Sequence, residues 1–91
     1  MPTILAVDDD VNITSLIDEL LAGLGYKVVC ANDGYSVVAM FTQNKPDLLI
    51  LDYQMPAGSG TEVLQKIRGL QYGAQVPVIF LSASSKFEIQ M

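Results

Sequence analysis

The chain has 91 residues, enough for one domain and too few for two. Hydrophobic residues make up 51% of it and charged residues 16%, so it is not a disordered segment. Ten acidic residues stand against five basic ones, and this net charge of −5 argues against nucleic acid or an anionic membrane surface as a direct partner. With one cysteine and no histidine, a disulfide framework, a Cys/His zinc site and catalysis by a histidine base are excluded.

Short apolar runs alternate with stretches of helical period along the whole chain. The runs are continuous, as in strands buried on both faces of a parallel sheet. They cover residues 4–7, 27–31, 48–51 and 78–81. The helical stretches cover residues 13–24, 34–43 and 60–70, and Gly25 follows the first as a helix-ending glycine. The pattern predicts an α/β fold with right-handed crossovers and a parallel sheet.

Polar side chains follow three of the predicted strands. Asp8 and Asp9 come after the first, Asp52 after the third, and Ser82 after the fourth. Ligands of open α/β sheets bind outside the carboxyl ends of the strands, so these side chains are expected to converge there. Asp10, just before the first helix, is expected to cap that helix.

Three carboxylates close together repel one another, and a divalent cation relieves that repulsion. An oxygen-ligand site with open water positions suits Mg²⁺ or Mn²⁺. A carboxylate beside such an ion can also act as a nucleophile toward phosphorus, giving an aspartyl phosphate. The sequence therefore predicts a Mg²⁺ site that handles phosphate.

Several segments together resemble the receiver domain of two-component response regulators, of the chemotaxis-regulator type. They are ILAVDDD at 4–10, PDLLILDYQMP at 46–56, Gly60, and VPVIFLSA at 76–83. The resemblance implies a doubly wound, flavodoxin-like parallel sheet with strand order 2-1-3-4-5. It also implies a cytoplasmic protein, and the sequence has neither a signal peptide nor an apolar run long enough to span a membrane.

The resemblance assigns the acidic residues their roles. It implies that Asp52 is the phosphoacceptor and that Asp8 and Asp9 hold Mg²⁺ together with Asp52, with Asp9 the more direct ligand. The main-chain carbonyl of Gln54 is implied as a further ligand.

The end of the fourth strand is assigned in the same way. Ser82 is implied to be the hydroxyl that contacts the phosphate when the domain switches, and Ala83 to be the small residue that leaves room for the phosphoryl group. The implied donor is a phosphohistidine on a sensor histidine kinase or a histidine phosphotransfer protein. Such a domain is not an enzyme, beyond catalysing its own phosphorylation and dephosphorylation.

The sequence departs from the family pattern at two places. Residues 57–60 read AGSG where the family more often has a bulky residue and an acid before the glycine. The family's fifth strand with its lysine, the last helix and most of the fourth helix have no counterpart. We therefore expect residues 1–91 to form an incomplete receiver domain that ends near the start of the fourth helix. The fourth strand is then expected to be an open edge, which favours self-association.

Two other functions stay open at this level. A haloacid-dehalogenase-like phosphatase would use Asp8 as nucleophile and Asp10 as general acid, but it has no need of Asp52. A degenerate interaction module would never accept phosphate, and the missing lysine keeps this alternative open.

Overall fold

The computed structural model describes residues 2–52, 60–70 and 73–81, together with the main chain of residues 87–90. Five strands and three helices are found among them. The strands are β1 (Thr3–Val7), β2 (Lys27–Ala31), β3 (Leu48–Asp52), β4 (Val78–Leu81) and β5 (Phe87–Gln90). The helices are α1 (Val11–Ala22), α2 (Gly34–Asn44) and α3 (Gly60–Arg68).

The strands form one sheet in the order β2-β1-β3-β4-β5. The first four are parallel, and β1 pairs with both β2 and β3 at its centre. Val7, the last residue of β1, lies opposite Ala31 on one side and Leu51 on the other. Strands β1, β2 and β3 therefore end at the same edge of the sheet. The predicted α/β class, parallel sheet and 2-1-3-4 order are confirmed.

The main core lies between the sheet and helices α2 and α3. Alternate residues of the strands, such as Leu5, Leu49 and Val78, have no exposed surface and pack with Phe41 of α2 and Ile67 of α3. Alternate residues share one face of a sheet, so this core uses one face only. Each fully buried side chain of this size contributes about 1.5–3 kcal/mol.

Helix α1 lies against β1 and β2, yet its only fully buried residue is Thr14. The helical period of the leucines in α1 and just after it is present, but Leu16, Leu20 and Leu24 are 51%, 61% and 74% exposed. The sheet therefore covers only part of the apolar stripe.

The end of α1 follows the sequence prediction. Gly25 has φ 96°, its N–H donates to Ala22 O, and Tyr26 N–H donates to Leu21 O. These two bonds and the left-handed glycine form a Schellman motif, in which a side chain at the glycine position would be strained.

No helix among the described residues is long and apolar enough to cross a membrane.

The outer edge of β4 differs from the expectation. Residues 87–90, where the fourth helix was expected to begin, form strand β5, which pairs antiparallel with β4, with Val78 opposite Gln90 and Leu81 opposite Phe87. The expectation of an open β4 edge is wrong for this structure. The physical reason is that the unpaired N–H and C=O groups of β4 find partners in the end of the same chain. This strand is antiparallel, unlike the fifth strand implied by the family order.

The connection from α3 to β4 is held by Arg68. Its Nη1 donates to the carbonyl oxygens of Gly73 at 3.0 Å and Val76 at 2.6 Å. Gly73 packs so tightly on the end of α3 that a Cβ there would lie 1.7 Å from Ile67 O. The guanidinium of Arg68 therefore holds this loop against the end of α3.

Candidate functional site

Three carboxylates meet at the carboxyl edge of the sheet. Asp8 and Asp9 follow β1, and Asp52 is the last residue of β3. One carboxylate oxygen from each can be chosen so that all three lie within 4.8 Å of one another. Asp8 and Asp52 are 44 positions apart in the sequence. Their carboxylates come close together because β1 and β3 are adjacent and in register. The predicted convergence of these acids is confirmed.

Asp8 is the most buried of the three, with 8% of its surface exposed, while Asp52 is half-buried and Asp9 is exposed. Burial is the largest cause that raises the pKa of Asp8 from 3.8 to about 6. The charge of Asp52 and the hydrogen bond and charge of Asp9 raise the Asp8 pKa further, and the hydrogen bond from the Asp10 main chain lowers it. The site thus concentrates negative charge at a place with little water to screen it.

Asp10 stands apart from this cluster. Its Oδ1 accepts from Asn12 N–H at 2.9 Å and its side chain is the N-cap of α1. The predicted capping role of Asp10 is confirmed. Its carboxylate accepts from Asn12 N–H and is not one of the three clustered carboxylates.

The donor set fits a hard divalent cation. Three carboxylates supply oxygen ligands, and the exposure of Asp9 leaves the site open to water on one side. Mg²⁺ prefers oxygen ligands and keeps several of its waters, so a site with few carboxylates and an open side suits it. A bound cation would also offset the repulsion that raises the Asp8 pKa.

A hydrogen-bond network behind the acids was missed by sequence reasoning. The Asn32 amide donates through Nδ2 to Asp8 O and to Thr14 Oγ1, both at 2.9 Å. Thr14 Oγ1 in turn donates to Val11 O at 3.1 Å. In the sequence, Asn32 precedes Asp33 and Gly34, a combination typical of a turn. Its partners lie 24 and 18 positions away, so no local signal could identify them.

Three other predicted site residues lie outside the described residues. These are Gln54, Ser82 and Ala83. Their implied roles stay predictions.

The fold and the site define a class of α/β domains with an acidic cluster at the carboxyl edge of a parallel sheet, and comparison with known proteins gives the family. The response regulator receiver domain family matches residues 4–91. The chain belongs to this family, which functions in two-component signalling.

Relatives at the sequence level are transcriptional regulators. The chain is 42% identical over 83 residues to the transcriptional regulatory protein CpxR of Klebsiella pneumoniae, covering 91% of this chain and 34% of that protein. It is 40% identical over 80 residues to a probable transcriptional regulator, ycf27, of Guillardia theta, covering 88% and 30%. The chain therefore spans about a third of the length of these curated relatives.

Solved structures give the same fold. The Vibrio cholerae chemotaxis protein CheY4 superposes with a TM-score of 0.85 at 30% identity, covering 88% of this chain and 67% of that one. The response regulator TrrA of Thermotoga maritima, solved in complex with Mg²⁺ and BeF, superposes with a TM-score of 0.81 at 38% identity, covering 91% and 70%.

These findings decide one of the open alternatives. A dehalogenase-like phosphatase would need Asp10 as a general acid, whereas the carboxylate of Asp10 caps α1 and the chain belongs to the receiver family. The phosphatase alternative is wrong.

Proposed function

We propose that this domain accepts a phosphoryl group on Asp52 from a phosphohistidine and thereby switches its conformation to pass on a signal. The single observation that carries the proposal is the meeting of Asp8, Asp9 and Asp52 within 4.8 Å, in a chain that matches the receiver family over residues 4–91. The donor is a sensor histidine kinase or a histidine phosphotransfer protein. Because the relatives described above regulate transcription, transcription is the proposed destination of the signal.

Asp8 and Asp9 are proposed to hold Mg²⁺, with Asp52 and the Gln54 carbonyl as further ligands. When bound, the ion would supply positive charge that offsets the carboxylates and the incoming phosphoryl group. The 38% identical regulator from Thermotoga maritima was solved with Mg²⁺ and BeF, which supports an ion of this kind here.

In the reaction, the P–N bond of the phosphohistidine breaks and a P–O bond forms to one carboxylate oxygen of Asp52. The imidazole leaves with the electron pair of the broken bond and takes a proton from solvent. Asp52 is half-buried at the end of β3, so its carboxylate is held by the sheet while it stays reachable from the open side. Ser82 and Ala83 are proposed to contact and make room for the transferred group.

Phosphorylation of the protein by acetyl phosphate with Mg²⁺ tests this proposal. Intact-mass spectrometry should find one added phosphoryl group, stable in acid and labile in base. Asp52→Asn should abolish it, because the amide is a poor nucleophile. Asp47→Asn is the matched control, since Asp47 precedes β3 at the opposite edge of the sheet and accepts from Thr3 N–H through Oδ2. Label that persists in Asp52→Asn would overturn the assignment, and no label in any variant would favour the non-phosphorylated interaction module.

A further inference from the structure

We infer that Asn32 is a positioning residue, which fixes the direction in which Asp8 presents its carboxylate to the cation. This inference rests on the proposed Mg²⁺ site. It concerns a residue that does not touch the cation site itself, and it follows from the hydrogen bonds that surround the Asp8 main chain.

Both main-chain polar groups of Asp8 are held by the end of β2. Its N–H donates to Ala31 O at 3.1 Å, and its carbonyl oxygen accepts from Asn32 Nδ2 at 2.9 Å. Ala31, the last residue of β2, and Asn32, the residue after it, therefore each hold one of the two peptides that flank the Asp8 Cα. Because both flanking peptides are held, the direction in which the Cα–Cβ bond of Asp8 points is fixed as well.

The chemistry of the partners determines which way the Asn32 amide faces. A main-chain carbonyl oxygen can only accept, so the amide nitrogen must face Asp8 O. The second N–H of the amide goes to Thr14 Oγ1, whose own hydrogen goes to Val11 O. Every donor in this chain of bonds is used, and none of the buried side-chain oxygens and nitrogens among the described residues is without a partner.

The network joins three elements at one point. Thr14 is 2% exposed and belongs to α1, Asn32 follows β2, and Asp8 follows β1. The carboxylate of Asp8 is fixed further by Asp10 N–H, which donates to Asp8 Oδ1 at 2.9 Å. Asn32 thus acts on the cation site through Asp8, in the way that outer hydrogen bonds orient metal ligands in other proteins.

Asn32→Ala removes both bonds, and we expect it to weaken Mg²⁺ binding by about 10- to 100-fold, the usual range for such outer partners. Isothermal titration of the protein with MgCl₂ measures this. The matched control is Asn44→Ala. Asn44 is also half-buried and donates through Nδ2 to a main-chain carbonyl, that of Met40 at 2.9 Å, but it lies at the end of α2 away from the site. This control should leave Mg²⁺ affinity unchanged.

Thr14 offers a second pair of variants in case Asn32→Ala folds poorly. Thr14→Val removes the acceptor of one Asn32 bond and nearly keeps the shape of the side chain, so a smaller loss of affinity is expected. Thr14→Ser keeps the hydroxyl and should restore affinity.

A measurement on the Mg²⁺-free protein tests this inference separately from the proposed function. In the Mg²⁺-free protein, Asn32→Ala should speed hydrogen exchange of the Asp10 amide about tenfold or more, because the loop that holds its acceptor loosens, while the Leu5 amide in the core stays unchanged. If the wild-type chain binds no Mg²⁺, the proposed function fails, and the Asp10 amide still reports whether Asn32 holds the loop. Equal Mg²⁺ affinity and equal Asp10 exchange in Asn32→Ala and Asn44→Ala would overturn the inference.

Discussion

Asp8 is nearly buried, although it is an acid beside two further acids. Water that would normally stabilise its charge is largely excluded, and the charge of Asp52 adds to that cost. The free energy of such a site is highest when no cation is bound and all three carboxylates are ionised. Proton binding and cation binding are two ways to relieve the same repulsion, so both should be measurable at this residue.

The pH dependence of stability should reflect Asp8. Its pKa is about 6 when folded and 3.8 as the ordinary value, so the folded state binds the proton more tightly. The resulting stabilisation is complete below about pH 4 and is lost as the pH rises through about 6. Between pH 5 and 7.5 the Mg²⁺-free protein should lose about 1 kcal/mol from this group, or roughly 4–8 °C in Tm.

Thermal unfolding of Asp8→Asn tests the assignment. Asparagine keeps an Oδ1 that can accept from Asp10 N–H, but it has no proton to lose. Its Tm should change less over this pH range and exceed that of the wild type at pH 7.5 without Mg²⁺. An equally steep decline in Asp8→Asn would assign the titration to another group.

Asp9 and Asp10 are neighbours in sequence, yet they should differ in their effect on Mg²⁺. Asp9 supplies one of the three clustered carboxylates, whereas Asp10 accepts from Asn12 N–H and caps α1. Asp9→Asn should weaken Mg²⁺ binding measured by titration more than Asp10→Asn, because it removes a direct anionic ligand. The opposite ranking would place Asp10 among the ligands.

At the scale of elements, the connection from α3 to β4 depends on one close contact between the main chain of Gly73 and the end of α3. Gly73 has no Cβ, and this absence lets its main chain lie against the end of α3, while Arg68 bonds two carbonyls of the same loop. The position of β4 therefore depends on this loop.

Gly73→Ala should be strongly destabilising, by about 2 kcal/mol or more, because the new methyl group would lie 1.7 Å from Ile67 O and main-chain atoms would have to move. Gly69→Ala is the control. A Cβ there would lie 3.6 Å from Lys66 O, an ordinary contact, so stability should change by less than about 1 kcal/mol. Urea unfolding measures both, and equal stability of the two variants would contradict the close approach.

At the scale of the whole molecule, one side of the sheet is less well covered than the other. A groove of about 230 Å³ runs between α1 and the sheet, and its lining is entirely apolar. The lining residues are Ile17, Leu20, Leu21, Ile50, Ile79 and Leu81. Exposed leucines of α1 continue this surface toward solvent, whereas β5 covers the edge of β4. If copies of the chain associate, this apolar face is therefore a better candidate than the strand edge.

We expect the 91-residue chain to self-associate through this face as its concentration rises, because each buried CH₂ contributes about 0.8 kcal/mol. Sedimentation velocity over a range of concentrations measures it. Leu20→Glu should reduce the association, since Leu20 is 61% exposed and the substitution leaves the core intact. Tyr35→Glu, at an 80% exposed position of α2, is the control and should not. A monomer at all concentrations would contradict the prediction.

Much of the fold could be predicted because its signals are local. The apolar runs gave four strands within about one residue of their observed ends, and Gly25 marked the end of α1. The acids of the site were found by a general rule about the carboxyl ends of parallel strands. The roles of Arg68 and Asn32 could not be predicted, because their partners are loop carbonyls and residues of other elements, which no local pattern specifies.

The sequence by itself determined the order of strands and helices along the chain and the identity of the clustered acids, since these follow from the period of apolar residues and from where a strand ends. The doubly wound topology was implied by the resemblance to receiver domains. Only the tertiary structure decided how far α1 is covered, which segment pairs with β4, and how strongly Asp8 is perturbed. Those properties depend on which elements become neighbours and on how much water remains between them. Both are consequences of packing between distant parts of the chain. The pKa of Asp8 shows the effect on the site, because burial by that packing is the largest cause of its rise.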